Sequence, residues 1–199
     1  MESQAALVLS AGGMFGAWQA GAWSVLERDF RPAAVIGASA GALNGWAIAG
    51  GIGGEELAAY WLDPRMAAVM RPRFPWPPWS GLFEAEALVE LVRRLFDAFR
   101  PRIPFAAALV EVPALRRRLV RGEEMSWRHL LATCSVPLGL PPVRIDGKLY
   151  TDGGLLGALP LWACAEMGVE RAVALDALPR MPSAATAQSA AAQRVAAGV

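Results

Sequence analysis

The chain has 199 residues, 55% of them hydrophobic, with a formal net charge of +1 and a mean hydropathy of +0.33. That length suits one domain with a substantial core, and the near-neutral charge supplies no basic surface, so no nucleic-acid partner is expected. The two cysteines, Cys134 and Cys164, fit neither a disulfide framework nor a metal-ligand pattern, so no metal is expected and the cysteine usage points to a reducing, cytoplasmic setting.

Met1-Glu2-Ser3-Gln4 lacks the basic start of a signal peptide. Ala5-Ala6-Leu7-Val8-Leu9 reads as a buried strand, Ser10 to Gly16 as a Gly-rich turn and Ala17 to Arg28 as a helix. Ala33-Ala34-Val35-Ile36 is a second short strand, followed by Gly37-Ala38-Ser39-Ala40-Gly41 and an apolar helix from Ala42. The windows from Ser3 to Leu26 and from Pro32 to Gly54 carry no charge, but both change period partway and are crowded with small residues. A strand plus a buried helix explains each better than a membrane span. Glu55 to Leu62 is a short helix stopped near Pro64. This βαβα opening points to a mostly parallel sheet with helices on its faces.

Arg71 to Trp79 holds four prolines in nine residues and must be irregular. It offers Phe74, Trp76 and Trp79 either to the protein body or, with its arginines, to a lipid headgroup region as a peripheral membrane contact. Glu84 to Phe99 is an amphipathic helix, with Leu88, Leu91, Val92, Leu95, Phe96 and Phe99 on one stripe. Ala106 to Val112 and Leu115 to Val120 read as strands, Arg116-Arg117-Arg118 as a solvated strand end, and Trp127 to Cys134 as a short helix. A strand–turn–strand surrounds Asp146-Gly147, Leu159 to Met167 is helical, and Arg171 to Leu175 is a last core strand. Residues 1–180 are expected to form one domain, with an Ala/Ser/Gln-rich tail over 181–199.

The chemistry centres on Ser39. A Gly-x-Ser-x-Gly turn between strand and helix pushes a serine hydroxyl out at the end of a sheet. The flanking Gly37 and Gly41 allow close passage, and the helix N-terminus offers free N–H groups to an oxyanion. Serine needs a base. His129 precedes both Asp152 and Asp176, an order that does not suit an α/β-hydrolase triad, and it sits inside a short helix. Asp152, followed by Gly153 and Gly154, is the better candidate, although Asp-Gly-Gly is also a common turn. Glycines in Ala11-Gly12-Gly13-Met14-Phe15-Gly16 can turn N–H groups toward an anion. A dinucleotide-binding fingerprint is the rival reading there, but its spacing is imperfect, since Ala11 stands at the first glycine and the next strand runs into Gly37 rather than an acid.

These three signals in this order resemble the patatin-like phospholipase family, whose members carry a Gly-Gly-Gly-x-Arg-Gly turn, a Gly-x-Ser-x-Gly elbow and a distant Asp-Gly-Gly. Ile36 to Asn44 is a close match, and Ala132-Thr133-Cys134-Ser135-Val136-Pro137 through Asp152-Gly153-Gly154 matches the segment around the base. The resemblance implies an α/β three-layer sandwich with a mostly parallel sheet flanked by helices, and a Ser–Asp dyad without a catalytic histidine. Ser39 then corresponds to the nucleophile, Asp152 to the base, and the amides of Gly12, Gly13, Met14 and Ala40 to the oxyanion hole. The implied reaction is hydrolysis of lipid esters through an acyl-enzyme, with no cofactor. Two departures stand out: Phe15 replaces the turn's arginine, and Leu156-Gly157-Ala158-Leu159-Pro160 lacks the family's asparagine. Phe15 carries an alternative expectation, a catalytically impaired relative that binds lipid or a protein partner.

Overall fold

A computed structural model of the chain describes residues 5–69, 71, 72, 74, 81–83 and 85–178. Trp76, Trp79 and the 181–199 tail lie outside the described residues.

The first strand, β1 (Ala6–Leu9), is buried throughout and leads through a 3-10 turn (Gly13–Phe15) into α1 (Gly16–Leu26). A second strand, β2 (Ala34–Gly37), is equally buried and feeds α2 (Ala40–Ala49), every residue of which is buried. Strands apolar on both faces and a helix apolar all round belong in the middle of a sandwich. Then come α3 (Gly54–Leu62), α4 (Pro64–Ala68) and α5 (Ala85–Ala98). The expected stop at Pro64 is also a restart: the Asp63 side chain accepts the Arg65 N–H at 2.9 Å and Pro64 occupies the first turn of α4. The remaining elements are β3 (Phe105–Val112), β4 (Arg116–Arg121), α6 (Trp127–Thr133), β5 (Val143–Ile145), β6 (Lys148–Asp152), α7 (Trp162–Glu166) and β7 (Ala172–Leu175). The helix expected from Leu159 begins only at Trp162, because Leu159-Pro160-Leu161 makes a turn first.

The seven strands form one mixed sheet. Strands β3, β2, β1 and β7 lie side by side and parallel, whereas β4 and β6 pair antiparallel with β3, and β5 with β6. One face carries the larger core, in which Trp46 stacks on Phe96 (4.9 Å between ring centroids) and meets Phe105 edge-on. The other face has a smaller core, with Val8, Ile36 and Ala106 under Ala163 of α7.

The registers around β3 position the site. Ala107 pairs with both Val120 of β4 and Gly37 of β2, and Leu109 pairs with both Arg118 of β4 and Asp152 of β6. Since β4 occupies one edge of β3, β2 and β6 must share the other. They approach from opposite directions, and both end beside Ala108. A serine placed just after β2 and an aspartate at the end of β6 are therefore brought together by strand register alone.

Candidate active site

Ser39 is the residue between β2 and α2, with φ 54° and ψ −131°. Such a conformation costs a side-chain-bearing residue on the order of 1–3 kcal/mol and needs over-determined surroundings. They are present. A Cβ on Gly37 would stand 2.6 Å from the Ala42 Cα, and one on Gly41 would stand 2.6 Å from the Leu9 carbonyl oxygen. The elbow is thus pressed against the end of β1, where the Gly-rich turn begins. The Ser39 N–H donates to Thr133 Oγ1 at 2.9 Å, and the Thr133 hydroxyl donates to the Ala108 carbonyl at 3.1 Å.

Asp152 is held as tightly. Its Oδ1 accepts the Gly154 N–H at 2.7 Å, and its own N–H donates to the Ser135 carbonyl at 3.2 Å. Gly153 lies on Ala108, where a Cβ would fall 2.5 Å from the carbonyl carbon, and Gly154 lies on Ala11. Ser39 is 5% exposed and Asp152 4%. Burial raises the Asp152 pKa to about 6, against the opposing pull of hydrogen bonds from the Ser39 hydroxyl and the Gly154 N–H. The Ser39 hydroxyl thus acts on the Asp152 carboxyl directly, and the raised pKa suits that carboxyl to accept a proton near neutral pH.

The Cys134 thiol packs against the same pair. Burial and the Asp152 charge push its pKa well above the usual thiol value, with the Ser39 hydroxyl opposing. It stays a neutral thiol and does not compete as a nucleophile.

Gly13, Met14, Ser39 and Ala40 share the wall of an apolar cavity of about 120 Å³ that continues past Leu43, Trp61 and Leu140. Gly12 and Asp152 are outside that wall, and Gly12 lies against Ala177. Among the described residues, the N–H groups of Gly13, Met14 and Ala40 have no protein acceptor. Gly13 has φ 53° and open space beside its Cα. Phe15, at the place of the family's arginine, is 54% exposed. The Ala158 carbonyl accepts the Ala11 N–H at 2.8 Å, which ties the segment after Asp152 to the Gly-rich turn without an asparagine.

Sequence reasoning did not single out the polar groups beneath this turn. Gln19, fully buried, donates to the Ser10 carbonyl at 2.8 Å and accepts from Asn44 at 3.1 Å. Asn44 also donates to the Gly16 carbonyl and accepts from Trp61 Nε1 at 2.8 Å. The network fixes both ends of the 3-10 turn from below. A polar residue on an otherwise apolar helix face, as at Gln19 and Asn44, was the available signal. His129 serves elsewhere: its Nδ1 accepts the Ser126 N–H at 3.1 Å as part of the α6 capping box. Among the described residues no group of three or more His, Cys, Asp or Glu side chains could hold a metal ion.

A family model described as Patatin-like phospholipase matches residues 7–165. An uncharacterized NTE family protein of Mycobacterium tuberculosis is 26% identical over 180 residues, covering 86% of this chain and 48% of the relative. Patatin-like phospholipase domain-containing protein 6 of Homo sapiens is 25% identical over 184 residues, covering 86% of this chain and 13% of that protein. The chain thus spans about half the length of the mycobacterial relative and far less of the human one. Among solved structures, VipD from Legionella pneumophila superposes with a TM-score of 0.59 at 13% identity, covering 98% of this chain and 54% of that one, a likeness of fold.

Proposed function

This chain belongs to the patatin-like phospholipase family, and on that premise we propose that it is a serine acyl hydrolase that cleaves carboxylic esters of lipids through Ser39 and Asp152. The observation that carries the proposal is the convergence of β2 and β6 on Ala108, which sets a strained, buried serine against a carboxyl whose pKa burial has raised to about 6.

In this reading the Ser39 Oγ attacks the ester carbonyl carbon while Asp152 takes the hydroxyl proton. Charge collects on the carbonyl oxygen, toward which the unpaired N–H groups of Gly13, Met14 and Ala40 and the positive end of α2 are available. Asp152 returns the proton to the leaving alkoxide, leaving an acyl group on Ser39. A water molecule, deprotonated by Asp152, then attacks the acyl carbon, the bond to Ser39 Oγ breaks, and Asp152 passes the proton to Ser39 Oγ as the acid leaves. The Ser39 N–H has no part in stabilising the oxyanion, because Thr133 occupies it. The lipid preference is supported by the apolar wall of the cavity and by exposed Met14 and Val136 at its rim. Peripheral contact with a membrane from the cytoplasmic side, through this rim and exposed Phe74, fits the same substrate.

Hydrolysis of p-nitrophenyl esters tests the proposal: turnover should fall to background in Ser39→Ala and be retained in His129→Ala. Equal rates in the wild type and Ser39→Ala would overturn it. One observation favours a second reading, a relative that binds lipid or a partner with little turnover. The turn presents Phe15 to solvent where the family has a cation.

A further inference from the structure

Beyond the 120 Å³ cavity at Ser39 lies a second cavity of about 160 Å³, between α3–α4 and α5. A narrow space of about 30 Å³, bordered by Leu43 and Trp61, lies between them. Two side chains, Met66 and Leu91, are in the wall of all three. The far cavity differs in chemistry. Its outer wall carries Asp63 and Arg65, with Arg65 Nε 2.9 Å from an Asp63 carboxylate oxygen, and an ion pair between Glu90 and Arg94 one helical turn apart on α5. The route from Ser39 is thus apolar up to Met66 and Leu91, and beyond them it opens toward paired charges at the surface.

We propose that Met66 and Leu91 form a gate in an acyl-chain channel that sets how long a chain the Ser39 site accepts; this rests on the lipid-ester reading above. With the carbonyl carbon at Ser39, the chain runs past Leu43 toward the gate. An enclosed apolar cavity of roughly 150 Å³ takes up a six-carbon ring, so the inner chamber suits chains of about that carbon count. A longer chain has to displace the Met66 side chain, which three rotatable bonds allow at some cost, and its end then approaches charged groups that an alkyl tail does not solvate. Short and medium chains should therefore turn over best.

The test has two arms on the full chain. In the first, kcat/KM is measured for p-nitrophenyl butanoate, octanoate, dodecanoate and hexadecanoate with the wild type, Met66→Ala, Leu91→Ala and Met66→Trp. The dodecanoate-to-octanoate ratio should rise about 10-fold when either side chain is cut back and fall by a similar factor with Trp, since a methylene's worth of pocket is read as roughly 10–200-fold. In the second arm, free fatty acids of the same lengths displace cis-parinaric acid from Ser39→Ala and from Ser39→Ala/Met66→Ala. Affinity should level off beyond octanoate in the former and go on rising to dodecanoate in the latter. Ser39-dependent hydrolysis with an unchanged length profile in folded variants overturns the gate alone. A shifted binding profile without Ser39-dependent hydrolysis upholds the gate and overturns the catalytic reading.

Discussion

The two flanks of Ser39 are built in opposite ways. On the flank that joins Ser39 to Asp152, Gly37, Gly41, Gly153 and Gly154 are all packed so closely that a single added carbon would collide with backbone or with a neighbouring Cβ. On the opposite side, Gly13 has nothing within 4 Å of where a Cβ would stand, and Met14 and Phe15 face solvent. The first side is fixed by strand register and backbone contact, so its residue types are dictated. The second is held only at its ends, by Ala11 N–H to the Ala158 carbonyl and by the Gln19–Asn44 network below, so its side chains are free to vary. This accounts for how an arginine's place can be taken by Phe15 without disturbing Ser39 or Asp152.

Asp152→Asn offers the largest contrast on the fixed side. Loss of the proposed base should lower kcat by about 10²–10⁴-fold. Stability should move the other way. The folded-state pKa of about 6 lies above the ordinary carboxylate value of 3.8. The folded protein therefore holds this proton more tightly than the unfolded chain, and stability falls as pH rises from about 4 to 6. At pH 8 the neutral asparagine removes that penalty, and urea unfolding should show a gain of roughly 2–3 kcal/mol, since each tenfold difference in proton affinity between the two states is worth about 1.4 kcal/mol. In the wild type, kcat/KM should drop below about pH 6 as Asp152 takes up a proton. A flat profile down to about pH 4 would count against its role as base.

Gly41→Ala and Gly13→Ala sharpen the comparison through stability alone. The first should cost more than about 3 kcal/mol, because β1 and α2 must separate. The second should cost about 1 kcal/mol, for a left-handed φ and nothing else. Similar losses in the two denaturation midpoints would erase the distinction between the sides.

Thr133→Val removes the hydroxyl that accepts from Ser39 and donates to Ala108. A loss of about 1–2 kcal/mol in stability is expected, with kcat falling about 10-fold at unchanged KM as the elbow loosens. Thr133→Ser should restore kcat, an outcome that a purely packing role for the methyl group would not give.

On the permissive side, Phe15→Arg should leave stability within about 0.5 kcal/mol and raise kcat/KM a few-fold. A large loss of stability would show that Phe15 has a structural role its exposure conceals.

Much of this arrangement is legible from residue order. Short apolar strands closed by glycine clusters mark β1, β2 and the turn at Ser39, and the Asp-Gly-Gly after a hairpin marks the loop that begins at Asp152. Less is legible where the outcome depends on tertiary contacts. Asp63-Pro64 reads as a stop, yet the same pair caps and starts α4. Arg117 reads as part of a solvated strand end, yet its guanidinium donates to the Leu156 carbonyl at 2.9 Å, beside the loop that begins at Asp152. Thr133 has no local pattern that announces it, and at Gln19 and Asn44 a polar residue on an apolar helix face marks the position but not the partners, which are remote in sequence or lie across the Gly-rich turn. Sequence spacing also cannot show that β2 and β6 share one edge of β3, which is what joins Ser39 to Asp152.

The most direct measurement is mass-spectrometric mapping of the adduct formed with an alkyl fluorophosphonate, which labels a serine only when it is activated as a nucleophile. A single adduct on the peptide carrying Ser39 is predicted in the wild type, formed at least about 100-fold more slowly in Asp152→Asn and absent in Ser39→Ala. Labelling at another residue, or at Ser39 with the same rate in Asp152→Asn, would contradict the account.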